Sequence, residues 1–134
     1  MTYPIASPTG AVSGAPRTWL RLEGAAALVT GAALYLAHGG PWILLLPFLL
    51  AVDASMAGYL RGPRLGAAIY NLVHTWAVGL AVLGAGLVTG VEPVVLAGAI
   101  LVAHAGMDRM AGYGLKYPTA FGDTHLGWIG RGGR

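Results

Sequence analysis

Four long apolar runs fill most of the chain between Trp19 and Gly112. The first extends roughly from Trp19 to Ala37 and stops at His38-Gly39-Gly40-Pro41. The second extends roughly from Trp42 to Leu60 and stops at Arg61-Gly62-Pro63-Arg64. The third covers roughly Gly66 to Thr89 and ends at Gly90-Val91-Glu92-Pro93, and the fourth covers roughly Val94 to Gly112. Each is close to the ~20 residues a helix needs to cross a bilayer. The runs do not alternate as strands would, and in lipid only helices or closed barrels satisfy their own backbone, so the pattern predicts four helices. Their short connections make consecutive helices antiparallel neighbours. Pro47 predicts a kink in the second, because its ring blocks one backbone bond, and Pro93 suits the first turn of the fourth. In the first run Arg21 and Glu23 leave only Gly24 to Ala37 free of charge, so that helix is expected to enter the membrane late or lie tilted.

The expected fold is therefore all-α, an integral membrane four-helix bundle of two antiparallel hairpins over residues 19–112. Residues 1–18, with Pro4, Pro8, Pro16, Gly10 and Gly14 among small polar residues, read as a disordered tail. They lack the basic start and apolar core of a signal peptide. Residues 113–134 read as an irregular cytoplasmic segment. Composition agrees: 10% of residues are charged and 56% hydrophobic, whereas a soluble domain carries about 25% charged residues. The absence of cysteine excludes disulfides, thiolate metal sites and cysteine nucleophiles. A net charge of +3 is too thin for a nucleic-acid partner.

The charges also orient the chain. Arg17, Arg21, Arg61, Arg64, Arg109, Lys116, Arg131 and Arg134 all fall on the side that holds both termini and the middle loop, and the opposite loops carry only Glu92. The positive-inside rule then places both termini in the cytoplasm.

Two stretches resemble one another. Asp53-Ala-Ser-Met-Ala-Gly-Tyr59 ends the second run and Asp108-Arg-Met-Ala-Gly-Tyr113 ends the fourth, each followed by a basic residue and a proline. Either common small residues coincide here, or a helical hairpin is duplicated as a parallel repeat. Small residues at every fourth position (Ala77, Ala81 and Ala85; Ala27 and Gly31; Ala99 and Ala103) allow close helix packing and a homodimer. Gly84-Ala-Gly86-Leu-Val-Thr-Gly90 lies inside an apolar helix with no strand before it, so it reads as packing rather than a nucleotide loop.

Ionisable residues inside a span cost roughly 2.5–3.5 kcal/mol each on insertion scales, so they usually face the interior and matter. Here they are Glu23, Asp53, His74, His104 and Asp108, with Tyr70 and Asn71 as polar additions. At ~1.5 Å per residue, Glu23, Asp53, Asn71 and Asp108 sit roughly 6–8 Å from the cytoplasmic ends and the two histidines roughly 12 Å. His104 and Asp108 share a helix face, as do Tyr70 and His74. The plain reading is a polar network that fixes helix register. The functional readings are a metal site on His74, His104 and one or both of Asp53 and Asp108, suited to zinc or iron, a b-type haem between the histidines, or a proton-coupled carrier. In the tail, Tyr113, Tyr117, Phe121 and Trp128 suit the headgroup level, so the segment is expected to fold over the cytoplasmic mouth with His125 capping the pocket. The plain alternative is a surface anchor without chemistry. Arg109 beside Lys116 could also hold a lipid phosphate.

Several motifs carry a resemblance: Leu20-Arg-Leu-Glu-Gly24, Asp53-x-Ser-Met-x-Gly-Tyr59, Gly62-Pro63, Tyr70-Asn71-x-x-His74, His104-x-Gly-x-Asp-Arg109 and the long stretch Gly112 to Gly127. Over roughly Trp19 to Gly130 the chain resembles the small bacterial membrane-protein family labelled domain of unknown function 4260. That resemblance implies a bacterial plasma-membrane protein whose polar residues and tail form one shared design, and it supplies no activity. The leading expectation is a membrane protein binding a ligand or metal in its cytoplasmic pocket. The alternatives are a metal-dependent enzyme acting on a lipid or apolar substrate, and a structural subunit.

Overall fold

The computed structural model describes residues 10–130. Residues 1–9, where the expected tail begins, and Arg131 and Arg134 lie outside them. Helix α1 spans Gly14–Ala37, so it starts five residues before Trp19. Pro16 falls in its first turn, where the missing N–H would have had no helical partner anyway. Helix α2, Trp42–Ala51, stays helical through Pro47 and hands over directly to a 3₁₀ segment, Val52–Arg61. Gly62, at φ 112°, closes that segment in a conformation that favours glycine.

The third apolar run is not one helix. Helix α3, Pro63–His74, ends where Thr75 adopts an extended conformation, and α4, Trp76–Thr89, leaves at an angle of 41°. Helix α5, Glu92–Ala111, carries Pro93 in its first turn. It ends on Gly112 at φ 92°, with the Tyr113 N–H bonded back to the Asp108 carbonyl, a motif that satisfies the last carbonyls. Three helices are long and apolar enough to cross a membrane (Gly14–Ala37, Trp42–Arg61 and Glu92–Ala111), and the bent α3–α4 pair would make a fourth.

The packing order differs from the simple chain of neighbours that short loops predict. Helix α5 is the centre of the molecule, lying between α1 and α4, while α3 packs mainly on the 3₁₀ segment and α1 scarcely meets α2. Glycines decide this. A Cβ at Gly24 would lie 2.5 Å from the Arg109 Cβ, and one at Gly106 would lie 2.5 Å from the Leu28 nitrogen. On the other flank a Cβ at Gly98 would strike the Leu83 backbone. Bare glycine faces let α1 and α4 approach α5 closely, and Tyr35, Leu83, Val95, Ala99 and Ala103 fill the core between them.

The two resembling stretches differ in conformation. Asp53–Tyr59 lies in the 3₁₀ segment, whereas Asp108 is on an α-helix and Tyr113 lies beyond its glycine cap.

The expected irregular tail contains a short hairpin, β1 (Asp123–Thr124) against β2 (Gly127–Trp128), with Gly127 at φ 123° where β2 begins. It docks by backbone. The Val12 N–H donates to the His125 carbonyl, Arg17 Nε donates to the Leu126 carbonyl, and the Asn71 amide both donates to the Lys116 carbonyl and accepts from its N–H. The tail thus covers the end of the molecule at which α1 begins and α5 ends. The opposite end is marked by His38 and Glu92, whose side chains meet at 3.1 Å.

Candidate metal centre

Two buried histidines face one another. His74 sits at the last turn of α3, and its Nδ1 lies 2.8 Å from the Tyr70 carbonyl one turn earlier. His104 sits mid-way along α5, and its Nδ1 lies 2.6 Å from the Leu49 carbonyl near the end of α2. A carbonyl oxygen only accepts, so each Nδ1 must carry its proton and donate. The two Nε2 atoms, 3.0 Å apart, are then the free ring nitrogens, and a neutral imidazole presents a lone pair there. Two lone pairs at that separation repel unless something positive lies beside them.

Two carboxylates meet the same point. Asp53 Oδ1 is 3.4 Å from His74 Nε2 and 3.2 Å from His104 Nε2, and it has no hydrogen-bond partner. Asp108 Oδ2 is 3.7 Å from His74 Nε2, and its Oδ1 is 3.6 Å from His104 Nε2. One ligand atom from each of the four residues lies within 4.8 Å of the others. Nitrogens on a tetrahedral zinc ion with Zn–N bonds of about 2.0 Å stand about 3.3 Å apart, close to the 3.0 Å observed. The same gap leaves no space for a porphyrin between the rings, which removes the haem reading.

Neighbouring groups hold the four in place. The Tyr70 hydroxyl donates to Asp108 Oδ2 at 2.5 Å, and its ring stacks on His74 at 3.7 Å between centroids. The break after His74 frees that residue's carbonyl, which accepts from buried Arg109. Arg109 also donates to the Tyr113 carbonyl. Partners of this kind fix ligand tautomer and orientation in metal sites.

A cavity of about 380 Å³ opens beside the centre, lined by Asp53, Tyr70 and Asp108 on one side and by Tyr113, Lys116 and Phe121 from the tail on the other. Lys116 is buried. Its Nζ donates to the Phe121 carbonyl and lies 3.7 Å from the Phe121 ring centroid and 4.7 Å from that of Tyr70. Burial pulls its ammonium below the ordinary lysine range, and the charges of Asp108 and Asp53 oppose that shift.

Of the residues singled out in the sequence, Asp53, Tyr70, His74, His104 and Asp108 converge, and Lys116 faces the cavity beside them. Arg109 supports the centre from behind, committed to two carbonyls rather than to a lipid phosphate. Asn71 is occupied in docking the tail. Glu23 lies elsewhere, exposed on α1 beside a separate groove with Trp76. His125 does not cap the pocket: its Nδ1 accepts the Leu115 N–H inside the tail. The carbonyls of Leu49 and Tyr70 could not be found by residue type, since every residue has one. The roles of Met56 and Met107 in the cavity wall carried no signal either, because methionine reads as ordinary core.

The family described as Domain of unknown function (DUF4260) matches residues 17–129, and the chain belongs to that family. No curated protein and no solved structure matches the chain.

Proposed function

We propose that this member of the DUF4260 family is an integral membrane protein that holds one divalent transition-metal ion, zinc or iron, on Asp53, His74, His104 and Asp108. The observation that carries the reading is the commitment of both Nδ1 atoms to backbone carbonyls. It leaves two Nε2 lone pairs and an otherwise unpartnered carboxylate oxygen aimed at one point. Imidazole and carboxylate together suit zinc or iron. Membrane insertion is supported by the apolar lengths of the helices and by large apolar side chains left facing outward, among them Trp19, Val29, Trp42, Ile43, Leu72 and Val88. The positive-inside rule puts both termini, the covering tail and the mouth of the cavity on the cytoplasmic side.

Elemental analysis of protein purified in mild detergent tests the assignment. We expect about one equivalent of zinc or iron in the wild type and its loss in His74→Ala and His104→Ala, with helix content retained by circular dichroism. Wild-type protein that carries no metal and takes none up on titration with Zn²⁺ would leave the pair as imidazoles sharing a proton, and the metal reading would be wrong. The cavity beside the ligands favours a second reading, a membrane-embedded metal-dependent enzyme, because a catalytic ion needs a face open to substrate.

A further inference from the structure

The cavity beside the centre has a definite chemical character. Lys116 is 4% exposed, and its ammonium, with three donors, has one acceptor among the described residues, the Phe121 carbonyl. Among the described residues it makes no ion pair. A buried cation is costly unless paired. Two aromatic faces offset part of that cost, but two donors remain uncommitted.

The formal charges of Asp53 and Asp108 cancel those of a divalent ion, so Lys116 leaves the cavity with one unit of positive charge. Arg109 lies outside the cavity lining and donates to the His74 and Tyr113 carbonyls, so its charge acts on the centre from behind and is not presented at the cavity surface. Tyr113 also lines the cavity, and the rest of the wall is apolar, built from Met56, Met107, Ala111, Phe121 and Ile129. A volume of about 380 Å³ stands at the low end of the roughly 300–1,000 Å³ typical of small-molecule sites.

We propose that this cavity is a binding site for a small organic carboxylate with an apolar body, its carboxylate held between Lys116 and the metal. The proposal rests on the metal reading for the second of those contacts and for the charge balance. A single carboxylate balances the single excess charge, an apolar body fits the methionine and aromatic wall, and an amine of the same shape would meet Lys116 with like charge.

Benzoate is the probe, with benzyl alcohol and benzylamine as neutral and cationic counterparts. Binding is followed by ligand-observed NMR and metal content is measured on the same samples; Co²⁺-loaded protein reports ligation through its visible spectrum. We expect benzoate to bind at least tenfold more tightly than either counterpart and to shift the Co²⁺ spectrum. Lys116→Met should weaken benzoate at least tenfold while metal content stays whole. Met107→Trp, which fills the cavity and leaves every charge in place, should also abolish binding, so a folding defect in one variant does not decide the matter. Metal-loaded protein that ignores benzoate, or binds the three probes alike, overturns the carboxylate site and leaves the metal reading standing. Protein without metal that binds benzoate in a Lys116-dependent way overturns the metal reading and the charge balance built on it, and keeps only Lys116 as the partner of the carboxylate. Protein that binds neither metal nor benzoate overturns both.

Discussion

The centre depends on single atoms whose roles are fixed by what they already touch. Both imidazoles spend Nδ1 on a carbonyl, and the Tyr70 hydroxyl is spent on Asp108 Oδ2. Removing that hydroxyl leaves all four proposed ligands in place but frees one carboxylate to turn. Partners of this kind are typically worth about 10–100-fold in metal affinity, so Tyr70→Phe should weaken metal binding by that factor without unfolding the protein. Competition against a chelator of known affinity measures it, and unchanged affinity would show that Asp108 is oriented by something else. The residue types were legible in the sequence: ionisable side chains are too expensive in an apolar run to be idle, which singles out His74, His104, Asp53 and Asp108. Their partners were not, because backbone carbonyls look identical in every sequence. Glu23 shows the limit of the same logic. It lies only ten residues into α1, near the polar end, and the structure leaves it exposed.

At the scale of elements, the sequence located the apolar runs but not their breaks. The third run contains no proline or unpaired charge to announce that α3 ends at His74. The break becomes tolerable because Arg109, on another helix, supplies the donor for the freed carbonyl, and no local pattern encodes a partner 35 residues away. Proline marked no boundary either, since α2 continues through Pro47 and Pro16 opens a helix that seemed to begin later. The tail is an element whose docking depends on pH. His125 accepts the Leu115 N–H at Nδ1, and protonation would remove that lone pair. Burial first, and the Arg109 charge second, hold its imidazole below the ordinary value of 6.5. The folded tail therefore binds fewer protons than the free tail: its stability is full above pH 6.5 and falls as pH drops below that toward the folded value. Trp128 fluorescence or amide exchange at Leu115 should report loosening on acidification, and His125→Asn should flatten that profile. A wild-type profile that is flat from neutral to mildly acidic pH would contradict this account.

For the whole molecule, the apolar lengths prescribed a multi-span helical chain, while the order of packing came from glycines at Gly24, Gly98 and Gly106 whose partners only the fold reveals. Sidedness is testable without reference to any ligand. Ser13 and Glu92 are both exposed and lie at opposite ends of the molecule. Single cysteines placed there should react with a membrane-impermeant reagent from opposite sides, and same-side labelling would end the proposed topology. The pairing of α1 with α5 has a further consequence, in time. Arg21 Nε donates to the Met110 carbonyl across 89 residues of chain. At roughly 5–20 residues per second of synthesis, the first helix waits about 4–18 s for the surface that covers its glycines. During that interval its bare face must be sheltered by something other than its own chain, so assembly is complete only when the last helix arrives.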